Sequence, residues 1–461
     1  MGINALISEY NSMSQKGTVP FYEGTVFIEI SDYFREGSQY NESLKALAIG
    51  IQYHPYCADL FVAKAKLLLE TNQEDLSLIF IDKALACSPN DVAILSIKLE
   101  ILTEYERFEE AKDVLALLKQ TSIGSDSMDN VYFLQGNLYD MMEDFDMSFQ
   151  SFSESIRRNP RNTEALSKIW FATEYCGRYE DSVTLHQFVI DQNPYSHLAW
   201  FNLGEAYAGL EDYSKAVEAL EYAFIVNEDF EMAYRSCAAT CIKLGWYKKA
   251  LKCYQELSER IEQDSDILTQ MGYCYECMGE LSKGENYYAR AVMKNPKDHD
   301  AHYRMGQCLS KGRKWKASIS SYTRAVELDG RKDRYLHALA EAYLKIGDLD
   351  QGEIYLQKAT EIAPEVQDYW IRHVEVLLKQ GQIDRCHEVL EDAEINAFGP
   401  FVLYCRSACY FEEGRRQEAL QTVIEALQMD NGYEHNLLFN LTPYLEQDKD
   451  VLNLITTFSR S

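Results

Sequence analysis

Two close cysteine pairs, CAATC at 237–241 and CYEC at 274–277, are the residues of this chain best suited by type and spacing to chemistry. Paired thiolates bind zinc or exchange disulfides. A structural zinc site needs four ligands from paired motifs around turns, and a redox dithiol needs a helix N-terminus to lower its thiol pKa. Of the nine histidines only His299 and His302 lie close together. No HExxH, glycine-rich phosphate loop or nucleophile elbow occurs. Whether the cysteines can act depends on the elements that carry them, and those follow from a repeat.

Units of one kind begin at residues 24, 58, 92, 129, 163, 197, 231, 265, 299, 333, 367 and 400, so nine of the eleven intervals are 34 residues. The twentieth position of every unit is small, from Ser43, Ser77 and Ala111 through Gly284 and Gly352 to Cys386 and Ala419. The eighth is small in nine of twelve units, the exceptions being Leu99, Trp170 and Val374. The twenty-seventh is also mostly small, as at Ala223, Ala291 and Ala325. Apolar residues between these sites recur at helical spacing, for example Trp200, Leu203 and Tyr207, then Val217, Leu220 and Phe224. Gly- or Asp-rich breaks such as GLED at 209–212 divide each unit, and many units close on proline, as at Pro160, Pro194 and Pro296. Each unit is therefore expected to be two antiparallel helices of about 13 residues and roughly 20 Å. The small residues let the backbones approach. Both cysteine pairs then fall inside first helices, on packing positions, where reduced core thiols are the expected state and neither a metal nor a cofactor is.

The run Trp200, Leu203-Gly204, Tyr207, Ala216, Phe224, with a closing proline, resembles the tetratricopeptide repeat family over residues 24 to about 431. That resemblance implies an all-α fold, a right-handed α-solenoid or superhelix of stacked antiparallel helix pairs. About twelve repeats are expected, with a C-terminal capping helical pair. The boundaries read as an N-terminal cap segment at 1–23, three repeats at 24–128, nine at 129–431 and capping helices at 432–461, the first of these shortened by Pro443. The longer interval holds TSIGSDSMD at 121–129, a surface loop or a hinge.

The resemblance also implies that a partner lies in a concave groove lined by the first helices. Groove side chains in this family come mostly from positions 2, 5, 9, 12 and 13. Positions 5 and 9, with neighbours, supply the candidate partner-binding set: Phe133, Asn137, Phe171, Phe201, Asn202, Glu205, Arg235, Tyr273, Tyr303 and Gln307. Aromatic and Arg anchors dominate interface energies, and amides pair with an extended backbone; packing of these rings against neighbouring helices is the competing reading. Relatives that grip a peptide's terminal carboxylates use a Lys-Asn-Asn-Lys-Arg set. The nearest counterpart here, Phe133, Asn137, Lys168, Leu198 and Asn202, replaces four of the five, so that ligand is not expected.

Charge narrows the partner further. The net charge is −28, with −21 on residues 1–230 and −7 on 231–461. Such a field repels phosphate backbones and anionic membranes, so nucleic acid is not the expected partner of the whole chain. Residues 294–334, with KGRKWK at 311–316, form a basic island that either binds an acidic peptide or RNA or pairs with neighbouring carboxylates, the favoured reading. The N-terminus MGINALISEY lacks signal-peptide features, carries Leu6 where myristoylation wants Ser or Thr, and no run reaches membrane-span length. The sequence thus predicts a cytoplasmic, non-enzymatic scaffold for a protein or peptide, with regulatory or nucleic-acid binding through 294–334 as the alternative.

Overall fold

The computed structural model describes residues 3–15, 21–122, 127–430 and 434–458, and among them the chain is helical without a strand. Two compact units, Met1–Leu244 and Gly245–Ser461, divide it. The division falls within the seventh repeat rather than at the 37-residue interval, and residues 123–126 of the 121–129 loop lie outside the described residues.

In the first unit α1 (Ile3–Gln15) precedes α2 (Gly24–Glu36) and α3 (Tyr40–Tyr53), α4 (Ala58–Glu70) and α5 (Glu74–Cys87), and α6 (Val92–Glu104) and α7 (Phe108–Thr121). Then come α8 (Met128–Met141) and α9 (Phe145–Arg158), α10 (Thr163–Cys176) and α11 (Tyr179–Gln192), α12 (His197–Gly209) and α13 (Tyr213–Val226), and finally α14 (Glu231–Lys243). The second unit opens with α15 (Tyr247–Ser258). Its pairs are α16 (Ser265–Cys277) and α17 (Leu281–Lys294), α18 (His299–Lys311) and α19 (Trp315–Leu328), and α20 (Asp333–Lys345) and α21 (Leu349–Ile362). After α22 (Gln367–Lys379), α23 (Ile383–Asn396), α24 (Pro400–Glu412) and α25 (Arg416–Met429), the chain ends in α26 (Asn436–Leu441), a 3-10 turn at Pro443–Gln447 and α27 (Lys449–Phe458).

Local chemistry sets these boundaries. Side chains of Asp91, Asn162, Ser196 and Asp298 accept backbone N–H groups at the start of first helices. The fifteenth residue of every unit has positive φ, six times as glycine and six times as Ser38, Asn72, Glu106, Glu143, Glu211 or Arg313. That left-handed residue turns the chain back on itself. The tryptophans at the fourth position lock the previous turn, Trp200 donating to the Pro194 carbonyl at 2.9 Å and Trp370 to that of Pro364 at 2.8 Å.

The small positions do what their size implies. All twelve residues at the twentieth position are buried. A Cβ on Gly136 would lie 2.5 Å from the Phe152 ring, one on Gly306 2.5 Å from Tyr322, and one on Gly204 2.6 Å from Leu220. The eighth residue is thus small because the twenty-fourth is large. Two of the serines at the twentieth position also tie the backbones together: Ser43 donates to the Ser31 carbonyl at 2.8 Å and Ser77 to that of Ala65 at 2.9 Å. One apolar core runs through the first unit from Phe61 to Ala219. At its N-terminal end α1 inserts Ile7 and Tyr10 against Phe27 and Phe34.

Candidate functional site

Three of the ten expected groove residues belong to the interior, which corrects their assignment as exposed contacts. Phe133 on α8 is 8% exposed with its ring 6.0 Å from that of Phe152. Phe201 on α12 is buried edge-on against Phe230 at 5.2 Å. Asn202 is 2% exposed; its amide donates to the Leu166 carbonyl at 2.7 Å and faces His186 Nε2 at 3.2 Å. Burial lowers the His186 pKa to about 4, so the ring is neutral and its Nδ1–H serves the Ser182 carbonyl. The covering groups differ: Phe152 of the paired helix α9 for Phe133, Phe230 just before α14 for Phe201, and Leu166 of α10 with His186 of α11 for Asn202.

The other first-unit candidates stay accessible or half-buried. Phe171 on α10 is 49% exposed. Asn137 on α8 accepts from Lys168 Nζ at 2.8 Å. Glu205 bonds Ser236, and burial raises its pKa. Arg235 donates to Glu231 at 2.7 Å. In the second unit the Arg304 guanidinium lies 5.0 Å from the Tyr273 ring centre. Tyr303 packs on Tyr335 at 4.6 Å, and Gln307 donates to its hydroxyl at 2.9 Å. These second-unit rings are largely engaged with protein.

A recess opens on the first helices of three successive first-unit repeats. Leu99, Glu100, Thr103 and Glu104 of α6, Leu134, Asn137 and Met141 of α8, and Lys168 of α10 enclose a cavity of about 290 Å³. Its walls are mainly hydrocarbon, and its charged groups are the carboxylates of Glu100 and Glu104 and the ammonium of Lys168. Beyond Met141, which is exposed, Phe145 stacks on Tyr175 at 4.6 Å and Tyr175 meets Phe171 at 4.7 Å. Phe171 and Tyr175 are both open to solvent at 49% and 61%. Sequence reasoning found only Asn137 and Phe171 of this group. It read positions 5 and 9 of the repeat, whereas Thr103 stands at 12 and Glu104, Met141 and Tyr175 at 13.

Catalytic chemistry finds no comparable setting. Cys237, Cys241 and Cys274 are buried within α14 and α16. Among the described residues no group of three or more His, Cys, Asp or Glu is placed to hold a metal. Several cations of the basic stretch 294–334 are ion-paired: Lys294 with Glu262, Lys311 with Glu276 at 2.7 Å, Lys314 with Glu285 at 2.5 Å and Arg334 with Asp300 at 2.6 Å. Among the described residues no helix is long and apolar enough to cross a membrane.

Comparison with known proteins agrees with this architecture. Tetratricopeptide repeat family models match residues 175–227 and 333–366. Tetratricopeptide repeat protein 16 of Macaca fascicularis is 22% identical over 250 residues, 47% of this chain and 28% of that protein. A TPR repeat-containing protein of Methanocaldococcus jannaschii is 21% identical over 434 residues, covering 92% of this chain and 66% of its own length. Anaphase-promoting complex subunit 3 of Schizosaccharomyces pombe is 19% identical over 230 residues, 50% of this chain and 35% of that protein. The chain thus spans little more than a quarter of the macaque relative. Among solved structures, the C-terminal part of a TPR repeat-containing protein from Cytophaga hutchinsonii is 13% identical with a TM-score of 0.43, covering 55% of this chain and 98% of that one. YrrB, described as a TPR protein with an unusual peptide-binding site, is 17% identical with a TM-score of 0.34, covering 39% and 93%. Helix pairing, repeat register and family matches coincide, and the chain is a tetratricopeptide repeat protein of roughly twelve repeats.

Proposed function

We propose that this chain is a non-enzymatic adaptor that holds a segment of a protein partner along the exposed faces of first helices α6, α8 and α10. Proteins built of these repeats generally mediate protein–protein interactions. The observation that carries the reading is the continuity of the recess with solvent-exposed Met141, Phe171 and Tyr175. Large apolar side chains gathered in one place mark a docking surface more strongly than the same residues scattered. The ion pairing of residues 294–334 argues against the basic island as the main contact.

A photo-cross-linking amino acid placed at Phe171 or at Met141 tests it, with Ile225 as control, since Ile225 is 64% exposed on the second helix α13. One partner band, formed from the two recess positions and absent from Ile225, is expected. It should fade when Phe145 and Tyr175 are both changed to serine. Equal labelling from all three positions would sink the assignment.

A further inference from the structure

We infer that the recess between α6, α8 and α10 receives a lysine or arginine side chain from an extended segment of the partner, while an adjacent apolar residue of that segment covers Phe171 and Tyr175. This rests on the docking reading above and names the chemistry of its occupant.

The recess has an apolar part and an accepting part. Leu99, Leu134 and Met141 offer hydrocarbon to an aliphatic stem. Thr103 also lines it, is 5% exposed, and its hydroxyl is buried without a hydrogen-bond partner. Asp140 of α8, next in sequence to the lining residue Met141 but not itself part of the lining, also has a buried carboxylate oxygen without a partner. An unpaired buried hydroxyl is costly, so a ligand that brings several N–H donors gains a partner at Thr103. Glu100 and Glu104 add two exposed carboxylates.

The resident cations leave this charge incompletely matched. Lys168 donates to the neutral Asn137 amide at 2.8 Å and lies over the Phe133 ring. Desolvation raises the pKa of Glu100, partly offset by Lys66 and reinforced by Glu164 and Glu104; desolvation likewise raises that of Asp140 against Lys168. An arriving ammonium or guanidinium neutralises Glu100 at the wall and acts on Asp140 through space. A carboxylate or an amide in its place meets the same anions without neutralising them. The surrounding −21 charge of residues 1–230 steers a cationic segment inward.

Fluorescein-labelled peptides of alternating lysine and leucine, and counterparts with glutamine or glutamate for lysine, test the inference by anisotropy with the full chain at about 0.15 M salt. The lysine peptide should bind about tenfold or more tightly than the glutamine peptide. Glu100→Gln, Glu104→Gln and Asp140→Asn together should abolish that preference. Asp113→Asn, Asp191→Asn and Glu218→Gln, an equal charge change on exposed second-helix faces, should preserve it. Melting curves check that both triple variants fold. Equal weakening by the two triple variants overturns the inference, since attraction would then be diffuse. Equal binding of the glutamine and lysine peptides also overturns it; if that binding still falls with Phe171→Ala and Tyr175→Ala, the docking reading stands without the cation. Failure of every peptide together with failure of the cross-linking test removes both.

Discussion

Two kinds of glycine do different work in this chain. Gly136 is small because Phe152 fills the space a Cβ would need, at 2.5 Å. Gly177 has nothing within 4 Å of its would-be Cβ, but its φ is +69°. Gly136→Ala should therefore cost about 1–3 kcal/mol through overpacking, and Gly177→Ala about 1 kcal/mol through backbone strain alone. Thermal melting distinguishes them when Phe152→Leu is added: the relief should be large beside Gly136→Ala and nil beside Gly177→Ala. The six side chains that occupy the same left-handed position invite the reverse change. Glu211 is exposed with φ +61°, so Glu211→Gly should raise the melting temperature by an amount corresponding to roughly 1 kcal/mol or less. A fall in melting temperature would show that its side chain does more than tolerate the turn.

At the scale of the helix and the turn, the 34-residue spacing located the helix pairs because steric complementarity leaves a direct trace in residue size. Gly204 opposite Leu220 and Gly306 opposite Tyr322 are legible as small and large letters at fixed offsets. Exposure at the groove was less legible. Phe201 and Phe171 are the same residue type on equivalent first-helix faces, yet one is 4% and the other 49% exposed, because Phe230 covers only the first. The left-handed residue was also hidden where it is Glu or Arg, whose types carry no turn signal. The C-terminal elements show a charge device instead. Asp448 accepts from both terminal nitrogens of Arg416, at 2.7 and 2.8 Å, and from the backbone N–H of Asp450 and Val451 at the start of α27. Arg416 holds the Asp448 carboxyl below its usual 3.8, against opposing desolvation and with help from those N–H groups. Because the folded pKa is depressed, the tie is complete above the ordinary carboxylate value and is lost as pH falls through the folded one. Amide exchange in α27, corrected for intrinsic rates, should accelerate as pH falls below about 4 more than exchange in α12, whose Glu205 is shifted the other way. Arg416→Gln should remove most of that difference; an unchanged pH response would mean that Asp448 acts only as a cap.

For the chain as a whole, stability is passed between neighbours. The first unit shares one apolar cluster across successive pairs, so no pair there owns a closed core. The second unit adds buried tyrosines tied to carboxylates: Tyr288 donates to Glu276 at 2.7 Å, Tyr335 to Asp300 at 2.6 Å and Tyr369 to Asp333 at 2.7 Å. Two of these ties join successive repeats, Tyr335 and Tyr369 each reaching back to the preceding first helix. The chain has 32 tyrosines, whose hydroxyls need partners once the rings are covered, and these carboxylates supply three of them. Arrays of this kind behave as sums of repeat and nearest-neighbour terms, so a defect spreads by contact and fades with distance. Gly136→Ala should raise hydrogen exchange most in α8 and α9, less in α6 and α10, and leave α20 to α25 unchanged. Tyr369→Phe, which strips a donor from Asp333, should do the converse, loosening α20 to α23 while α6 to α10 keep their protection. Loss of protection across both units from either single change would show one cooperative block in which local packing faults are felt everywhere. The confined pattern would instead mean that the recess on α6, α8 and α10 can reorganise around an arriving segment without disturbing the tyrosine-tied half of the chain.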